Sequence, residues 1–477
     1  MSMPCGGKGN CGKCRVTVVG NVSAPTVTEM RHLLPEDLQK GIRLACMTHA
    51  LGDCVVTTTP QGEGQICVDT NLPENLSQTL AIPVFDKYGV AVDIGTTTLA
   101  ACLYDREWVQ LAVTGCPNPQ GVWGADVVTR MENAMDGRDR DLADLVRRGV
   151  TQMLIDLASH AGIPVSDIDH MVITGNTVML HLLTQTSVEP LTHAPFVAED
   201  LFGRWVAGVT LGLDLLPPQA QVYLMPCVSA FVGGDLVAAL EACDFCYGQE
   251  TKLLVDIGTN GEMALWHKEK LYVCSTAAGP AFEGAGIAMG MAGGEGAVDH
   301  VSLCNGVLTP HVIGDVPPVG ICGSGIVDSV ACFLDAELMD ETGYLEDDPT
   351  PVACPVSLTQ ADIRAVQLAK SAIGAGLDTL MHSVDVTADQ VSKLYVAGGF
   401  GSYLNVHNAG RIGLLPHKLT SRVEVLGNAA LAGATMLLMD RAGIPHAEGI
   451  AKSAQVVDLA TNAYFAEAFM QGMMFEI

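Results

Sequence analysis

Positive charge is scarce in this sequence: 25 lysines and arginines stand against 53 aspartates and glutamates, a formal net charge of −28 over 477 residues. Affinity for phosphate backbones and anionic lipid comes from clustered cations, so nucleic acid is not an expected partner. Long apolar runs are missing too. Hydrophobic residues make up 49% of the chain and the mean hydropathy is +0.31, yet no run approaches the roughly 18–20 residues that span a bilayer. No membrane is expected, and the apolar excess belongs to a globular interior. The opening MSMPCGG has neither the basic nor the apolar segment of a secretory signal. The sixteen cysteines are therefore expected in a reducing cytoplasm, where clustered thiols read as metal ligands before disulfides. Two nucleotide signatures are absent as well: the P-loop G-x-x-x-x-G-K-S/T, and a G-x-G-x-x-G between strand and helix.

What is present divides the chain. Its length exceeds the roughly 250–300 residues at which single cores stop growing, and a small module with a two-lobed body fits it. Residues 1–60 hold the densest cysteine spacing, with a strand expected over 15–19, a helix over 27–39 and a strand over 53–59. Residues 61–87, rich in Pro, Gly, Asn and Gln, read as a linker. From Tyr88 onward buried strands alternate with helical patterns such as 139–162, which argues α/β with largely parallel sheets. The phrase Val-Asp-Ile-Gly-Thr occurs at 92–96 and again at 255–259. So long a period predicts two similar lobes, 88–245 and 246–477, rather than a solenoid.

Cys5, Cys11 and Cys14 in CGGKGNCGKC, with Cys46 in GIRLAC, give C-x5-C-x2-C and a remote fourth thiol. Small residues between the first three let the backbone wrap a cluster and aim amides at its sulfurs. A zinc site would more often show two separated C-x2-C knuckles, so the spacing points to a 2Fe-2S cluster of ferredoxin type. Lys8, Lys13 and Arg15 either offset the cluster's charge or are plain surface cations. Cys54 reads as a strand core thiol, and the Cys243/Cys246 pair as buried free thiols at a helix end. Cys67, Cys102, Cys116, Cys227, Cys274, Cys304, Cys322, Cys332 and Cys354 also read as core. His181 on the apolar helix MLHLL reads as a core histidine, His49 and His193 as surface or turn residues.

In GVAVDIGTTTLAACLYD a buried strand ends at Asp93, turns through Gly95, Thr96 and Thr97, and resumes. Backbone amides and hydroxyls there can approach phosphate, and the aspartate can hold Mg²⁺ through water. KLLVDIGTNGEMALW repeats the device with Asp256, Gly258, Thr259, Asn260, Gly261 and Glu262. Two such hairpins could close on one nucleotide. KLYVAGGFGSYLN runs a strand into a turn at Gly398, Gly399, Phe400 and Gly401, against which a flat adenosine could lie. The small residues of 427–438 suit a close-packed helix at a lobe interface. In this order the pieces resemble the acetate and sugar kinase/Hsp70/actin (ASKHA) superfamily.

The cysteine pattern joined to NPQ-x-x-x-GADV (118–127), ITGNTVMLHLL (173–183), AAGPAFEGAGI, ICGSGIVD (321–328), DIRAVQLAK (362–370) and the C-terminal VDLATNAYFAEAFMQGMMF resembles the reductive activators of corrinoid proteins. The resemblance implies a two-lobed actin-like ATPase carrying a β-grasp ferredoxin module, expected to be incomplete because Cys5 stands so near the first residue. It implies ATP-dependent one-electron reduction of an inactive Co(II) corrinoid protein of a methyltransferase system to Co(I), with a low-potential electron donor upstream. The cofactors it implies are a 2Fe-2S cluster, ATP and Mg²⁺. Actin-fold redox activators often pair, so a homodimer is an expectation. By the same resemblance Asp93 and Asp256 hold Mg²⁺ and phosphate, Thr96, Thr259, Asn260 and Gly261 contact phosphate, and Gly398 and Gly399 form the adenosine turn. Asp126, Asp235 and Glu262 stay open as the water-activating base. The competing reading is a nucleotide-dependent chaperone or reactivase without redox chemistry. A sugar or acetate kinase would have no use for the four thiols.

Overall fold

The computed structural model describes residues 3, 5–58, 68 and 81–475. Most of the segment read as a linker, Cys67 included, lies outside them. Its end does not: Val84 and Phe85 are buried, and the Val84 amide donates to the Leu438 carbonyl at 3.0 Å.

The N-terminal module is a three-stranded antiparallel sheet of Arg15–Val22 (β1), Ile42–Leu44 (β2) and Ala50–Thr58 (β3) in the order β2-β1-β3. The single helix expected over 27–39 is instead two, Val27–His32 (α1) and Pro35–Gln39 (α2). Pro35 forces the break: it disfavours helical backbone at Leu34, which sits extended at φ −69°, ψ 153°. Between the elements lies a buried ion pair, Arg43 Nε to Glu29 Oε1 at 2.8 Å. Burial would raise the Glu29 pKa, but the Arg43 guanidinium and the amides of Thr26 and Leu44 bring it down to about 2. Cys54 is half-buried on an otherwise exposed strand rather than in a core.

The body contains one topology twice. In the first lobe Tyr88–Ile94 (β4), Thr98–Asp105 (β5) and Gln110–Pro117 (β6) form an antiparallel meander, and Ile168–Gly175 (β7) and Gln221–Leu224 (β9) extend β4 in parallel, with Arg204–Ala207 (β8) at the edge. In the second, Thr251–Ile257 (β10), Gly261–His267 (β11) and Lys270–Thr276 (β12) form the meander. A further sheet, Ala297–Cys304 (β13), Val307–Val312 (β14) and Gly320–Ile321 (β15), and the hairpin Thr350–Ala353 (β16) and Val356–Leu358 (β17) follow. Then Val391–Ala397 (β18) and Val423–Gly427 (β19) extend β10 in parallel, with Gln455–Val456 (β20) on β12.

Helices cover both faces of each sheet. The first lobe supplies Val127–Asn133 (α3), Asp139–Ala161 (α4), Thr177–Thr184 (α5) and Gly234–Ala242 (α6). The second supplies Gly323–Asp335 (α7), Gln360–Ser383 (α8), Val406–Arg411 (α9), Ala429–Met439 (α10), Gly443–Ser453 (α11) and Ala463–Gln471 (α12). Strand alternation sorts the core. Val90, Val92 and Ile94 face α4, whereas Ala91 faces a central layer made by α6 and α10. On β10, Leu253, Val255 and Ile257 face outward and Leu254 faces that same central layer. Odd-numbered Asp93 follows Ala91, and even-numbered Asp256 follows Leu254, so both carboxylates point inward between the lobes. Where α6 and α10 cross, Gly433 lies so close to its neighbour that a Cβ would sit 1.9 Å from the Ala238 carbonyl oxygen.

Among the described residues no helix is long and apolar enough to cross a membrane. Of the scattered cysteines read as core, Cys102, Cys227, Cys274, Cys322 and Cys332 are buried and Cys116 half-buried. Cys304 and Cys354 are exposed: Cys304 ends β13 at a hairpin turn, and Cys354 lies in the turn between β16 and β17.

Candidate functional site: an acidic interlobe cavity and a four-thiol loop

A cavity of about 490 Å³ opens between the lobes. The first hairpin brings Asp93, Gly95, Thr96 and Thr97 to it, the second Asp256, Gly258, Thr259, Asn260 and Glu262, and the turn after β18 adds Gly398 and Gly399. Asp235, at the start of α6, joins them. Three expected residues do not line it. Gly261 is paired inside the β10–β11 hairpin, Gly401 begins the short helical turn beyond Phe400, and Asp126 caps α3, accepting from the Thr129 amide at 2.8 Å and hydroxyl at 2.9 Å.

Burial and mutual repulsion set the electrostatics. Burial pushes Asp93 and Asp256 up to about 7 and Asp235 to about 6. Asp235 adds to the rise at both of the first two, and Asn428 opposes it at Asp93 by donating from Nδ2 to Oδ2 at 3.1 Å. Glu262, fully enclosed beside Asp235 and Asp256, is held well above the usual carboxylate range. Among the described residues no three His, Cys, Asp or Glu side chains converge on a single ion position. A divalent cation here would take part of its shell from water or from phosphate oxygens, as Mg²⁺ ordinarily does.

Further residues shape the cavity. Glu283 spans the hairpins, accepting from Thr97 Oγ1 at 2.6 Å and from Thr259 Oγ1 at 3.0 Å. Asn176 Nδ2 donates to Thr96 Oγ1 at 3.1 Å. Phe282 and Phe400 stack at 5.2 Å with 15° between their planes, giving the cavity beside the Gly398–Gly399 turn an aromatic wall. Glu283 and Phe282 fall within AAGPAFEGAGI, so the motif was visible although its role was not.

The four N-terminal thiols form two pairs. Cys14 Sγ lies 3.2 Å from Cys46 Sγ, and the Cys5 and Cys11 side chains are hydrogen-bonded to each other. Burial raises the Cys46 thiol to about 12, with Cys14 adding to the rise. Burial also acts upward on Cys5, but hydrogen bonds from the Cys11 side chain and the local backbone outweigh it and lower its pKa. Lys8 is engaged with Glu132 at 2.6 Å, and Arg15 reaches Asp37 at 3.5 Å and the Gly12 carbonyl at 3.4 Å. Cys243 and Cys246 are half-buried, and burial pushes both thiols up. His181 is fully buried. Its Nε2 accepts from the Asp200 amide at 3.3 Å, and burial lowers its pKa to about 4. His49 and His193 are exposed.

Known proteins align with this architecture throughout. The family model described as the RACo middle region matches residues 88–247, and the one described as the C-terminal domain of RACo, the ASKHA domain, matches 250–477. The corrinoid activation enzyme RamQ of Eubacterium limosum is 33% identical over 425 residues, covering 81% of this chain and 70% of that protein. The Co(II) methylated amine-specific corrinoid protein reductase of Methanosarcina barkeri is 25% identical over 421 residues, 80% and 76% of the two chains. A solved structure of a reductive activator for corrinoid, iron-sulfur protein superposes with a TM-score of 0.74 at 26% identity, over 99% of this chain and 93% of that one. The two-lobed body is thus of the ASKHA type, and the chain belongs to the family of reductive activators of corrinoid proteins.

Proposed function

We propose that the chain hydrolyses ATP in the interlobe cavity to drive one-electron reduction of an inactive Co(II) corrinoid protein to Co(I), with Cys5, Cys11, Cys14 and Cys46 holding a 2Fe-2S cluster. The observation that carries this reading is the meeting of two equivalent acidic hairpins, led by Asp93 and Asp256, across one cavity that also contains the 398–400 turn. The names of the relatives supply the target.

Asp93 and Asp256 would hold hydrated Mg²⁺ against the phosphates, with Thr96, Thr259 and the turn amides on the phosphate oxygens. Of the three candidate bases, Asp235 fits best. Asp126 is spent on capping α3, and Glu262 is fully enclosed and held well above the usual carboxylate range by burial, whereas Asp235, raised to about 6, lines the cavity and is basic enough to take a proton.

The thiol pairs fit a 2Fe-2S cluster, which takes two thiolates on each iron. When bound, such a cluster supplies a one-electron carrier near about −400 mV, too weak to populate Co(I) unaided, which is what ATP would correct. The upstream donor must be of low potential.

The test is anaerobic reduction of a cob(II)alamin-loaded corrinoid protein by the iron-reconstituted chain and a low-potential reductant, followed by Co(I) absorbance. Reduction that requires ATP supports the proposal. ATP hydrolysis without any ATP-dependent Co(I) would favour a reactivase without redox chemistry.

A further inference from the structure

Arg130 is an unusual cation: it is 1% exposed, and among the described residues no carboxylate lies within ion-pair distance of it. Its fork is satisfied by neutral groups instead. Nη2 donates to the Thr96 carbonyl at 2.5 Å, Nε to the Gly124 carbonyl at 3.0 Å, and Nη1 to Gln120 Oε1 at 3.2 Å. Asn118 Nδ2 donates to the neighbouring Gly95 carbonyl at 2.8 Å. The NPQ-x-x-x-GADV motif, which the ATPase reading leaves without a task, thus brackets the outer side of the first phosphate turn. A buried guanidinium with no carboxylate in ion-pair contact costs stability, so its position beside the turn calls for a reason other than stability.

The same seven-residue helix carries the seat of the cysteine loop two and three residues further on. Glu132 takes the Lys8 ammonium at 2.6 Å. Asn133 lies under Gly6 so closely that a Cβ there would meet Asn133 Nδ2 at 2.5 Å and the Trp123 carbonyl at 3.0 Å. The Met3 amide donates to the Gly121 carbonyl at 3.1 Å. Beyond Asn133 the helix does not run smoothly into α4. A π-helical turn, Ala134–Arg138, intervenes, with Gly137 at φ 87°. Such a break lets α3 shift without carrying the 23-residue α4 with it.

We propose that α3 is a relay between the two sites: Arg130 follows the Thr96 carbonyl as phosphate occupies the Gly95–Thr98 turn, and Glu132 and Asn133 pass the displacement to the loop bearing Cys5, Cys11 and Cys14. Arg130 is a positioning residue; it touches neither the thiols nor the open face of the turn. The inference rests on the reading that this turn binds nucleotide, and its failure is separable from the failure of that reading.

Hydrogen–deuterium exchange of the full chain, read by mass spectrometry with and without a non-hydrolysable ATP analogue, tests it alongside a fluorescent-nucleotide titration. In the wild type, nucleotide is expected to change exchange severalfold in peptides covering 5–14 and 121–133. Arg130→Lys keeps the cation and loses the fork. It should bind nucleotide within about threefold of wild type and protect 95–98, yet lose the response at 5–14. Glu132→Ala, a surface change that leaves the cavity intact, should uncouple the loop from the other end. Full retention of the response at 5–14 in both variants, or wild-type nucleotide binding with no response there, overturns the relay. Absence of wild-type nucleotide binding overturns the ATPase reading first and the relay with it.

Discussion

The Thr97 hydroxyl of the first hairpin donates to the Glu283 carboxylate at 2.6 Å, a link between residues 186 positions apart that ties the two lobes across the interlobe cavity. With Thr259 on the other oxygen, the carboxylate lies where phosphate would approach. Glu283→Gln keeps the shape and removes the charge. In the water-like dielectric of an open cleft, near 80, one charge at about 4–5 Å is worth about 1 kcal/mol. Affinity for ATP is therefore expected to tighten roughly three- to tenfold, measured by calorimetric titration. Weaker binding would show instead that Glu283 helps to hold the cation.

Among the described residues, Asn428 counteracts burial at Asp93 by donating to its carboxylate. Asn428→Asp retains a residue able to cap α10, as the native amide oxygen does for the Leu431 amide, but sets a like charge beside Asp93. The Asp93 pKa should rise beyond about 7, and the acid limb of the ATPase pH profile should move upward by about one unit. An unmoved limb would remove Asp93 from the titrating groups that control turnover.

Three cavity carboxylates have folded-state pKa values raised to between about 6 and about 7. Below about pH 4 they are protonated whether the chain is folded or not, and their full stabilising share is present. As pH climbs to 7 the unfolded chain has released protons that the folded one retains, so stability falls. The metal-free, nucleotide-free protein should therefore melt several degrees lower at pH 8 than at pH 6, and Mg-ATP should restore more at pH 8. Glu29, held at about 2, acts oppositely and only in acid: its contribution is present above about 4.5 and is lost toward pH 2. Differential scanning calorimetry across pH 5–8 decides the matter.

Iron content should track the thiol pairs. Anaerobic reconstitution with iron and sulfide is expected to load two irons per chain and give visible absorbance, which Cys14→Ser or Cys46→Ser should reduce severalfold. Cys54→Ser, on the exposed strand β3, should leave it unchanged. Equal iron in all three variants would remove the paired thiols as ligands.

Stability of the N-terminal module should depend on Glu29 and Arg43. Removing one member of a fully enclosed pair costs about 3 kcal/mol. Glu29→Ala should accordingly make the 5–58 region sensitive to a protease at temperatures where the body stays intact, with digestion followed by mass spectrometry.

The repeated phrase at 92–96 and 255–259 made the duplicated lobes legible, because each copy builds a strand, a turn and a return strand within eighteen residues. Alternation along those strands then determines where Asp93 and Asp256 point. Glu283, Asn428 and Arg130 were not legible as site residues. Their partners are 186, 335 and 34 positions away, and only the assembled layers bring them together. Asp126 was misleading for a local reason: an aspartate just before a helix is as good a cap as it is a base, and here it caps. The broken helix at Leu34 was readable from Pro35, which holds the preceding residue extended.

The bare contact between Gly433 and the Ala238 carbonyl has a mechanical meaning. With no side chain as a spacer, the two central helices cannot slide past each other without collision, so the freest relative motion is rotation about the point of contact. Tilting there costs little where the backbones touch and is amplified with distance toward the rims of the cleft. The seam between these helices has no slack at this point, and a single added methyl group at position 433 would act as a wedge.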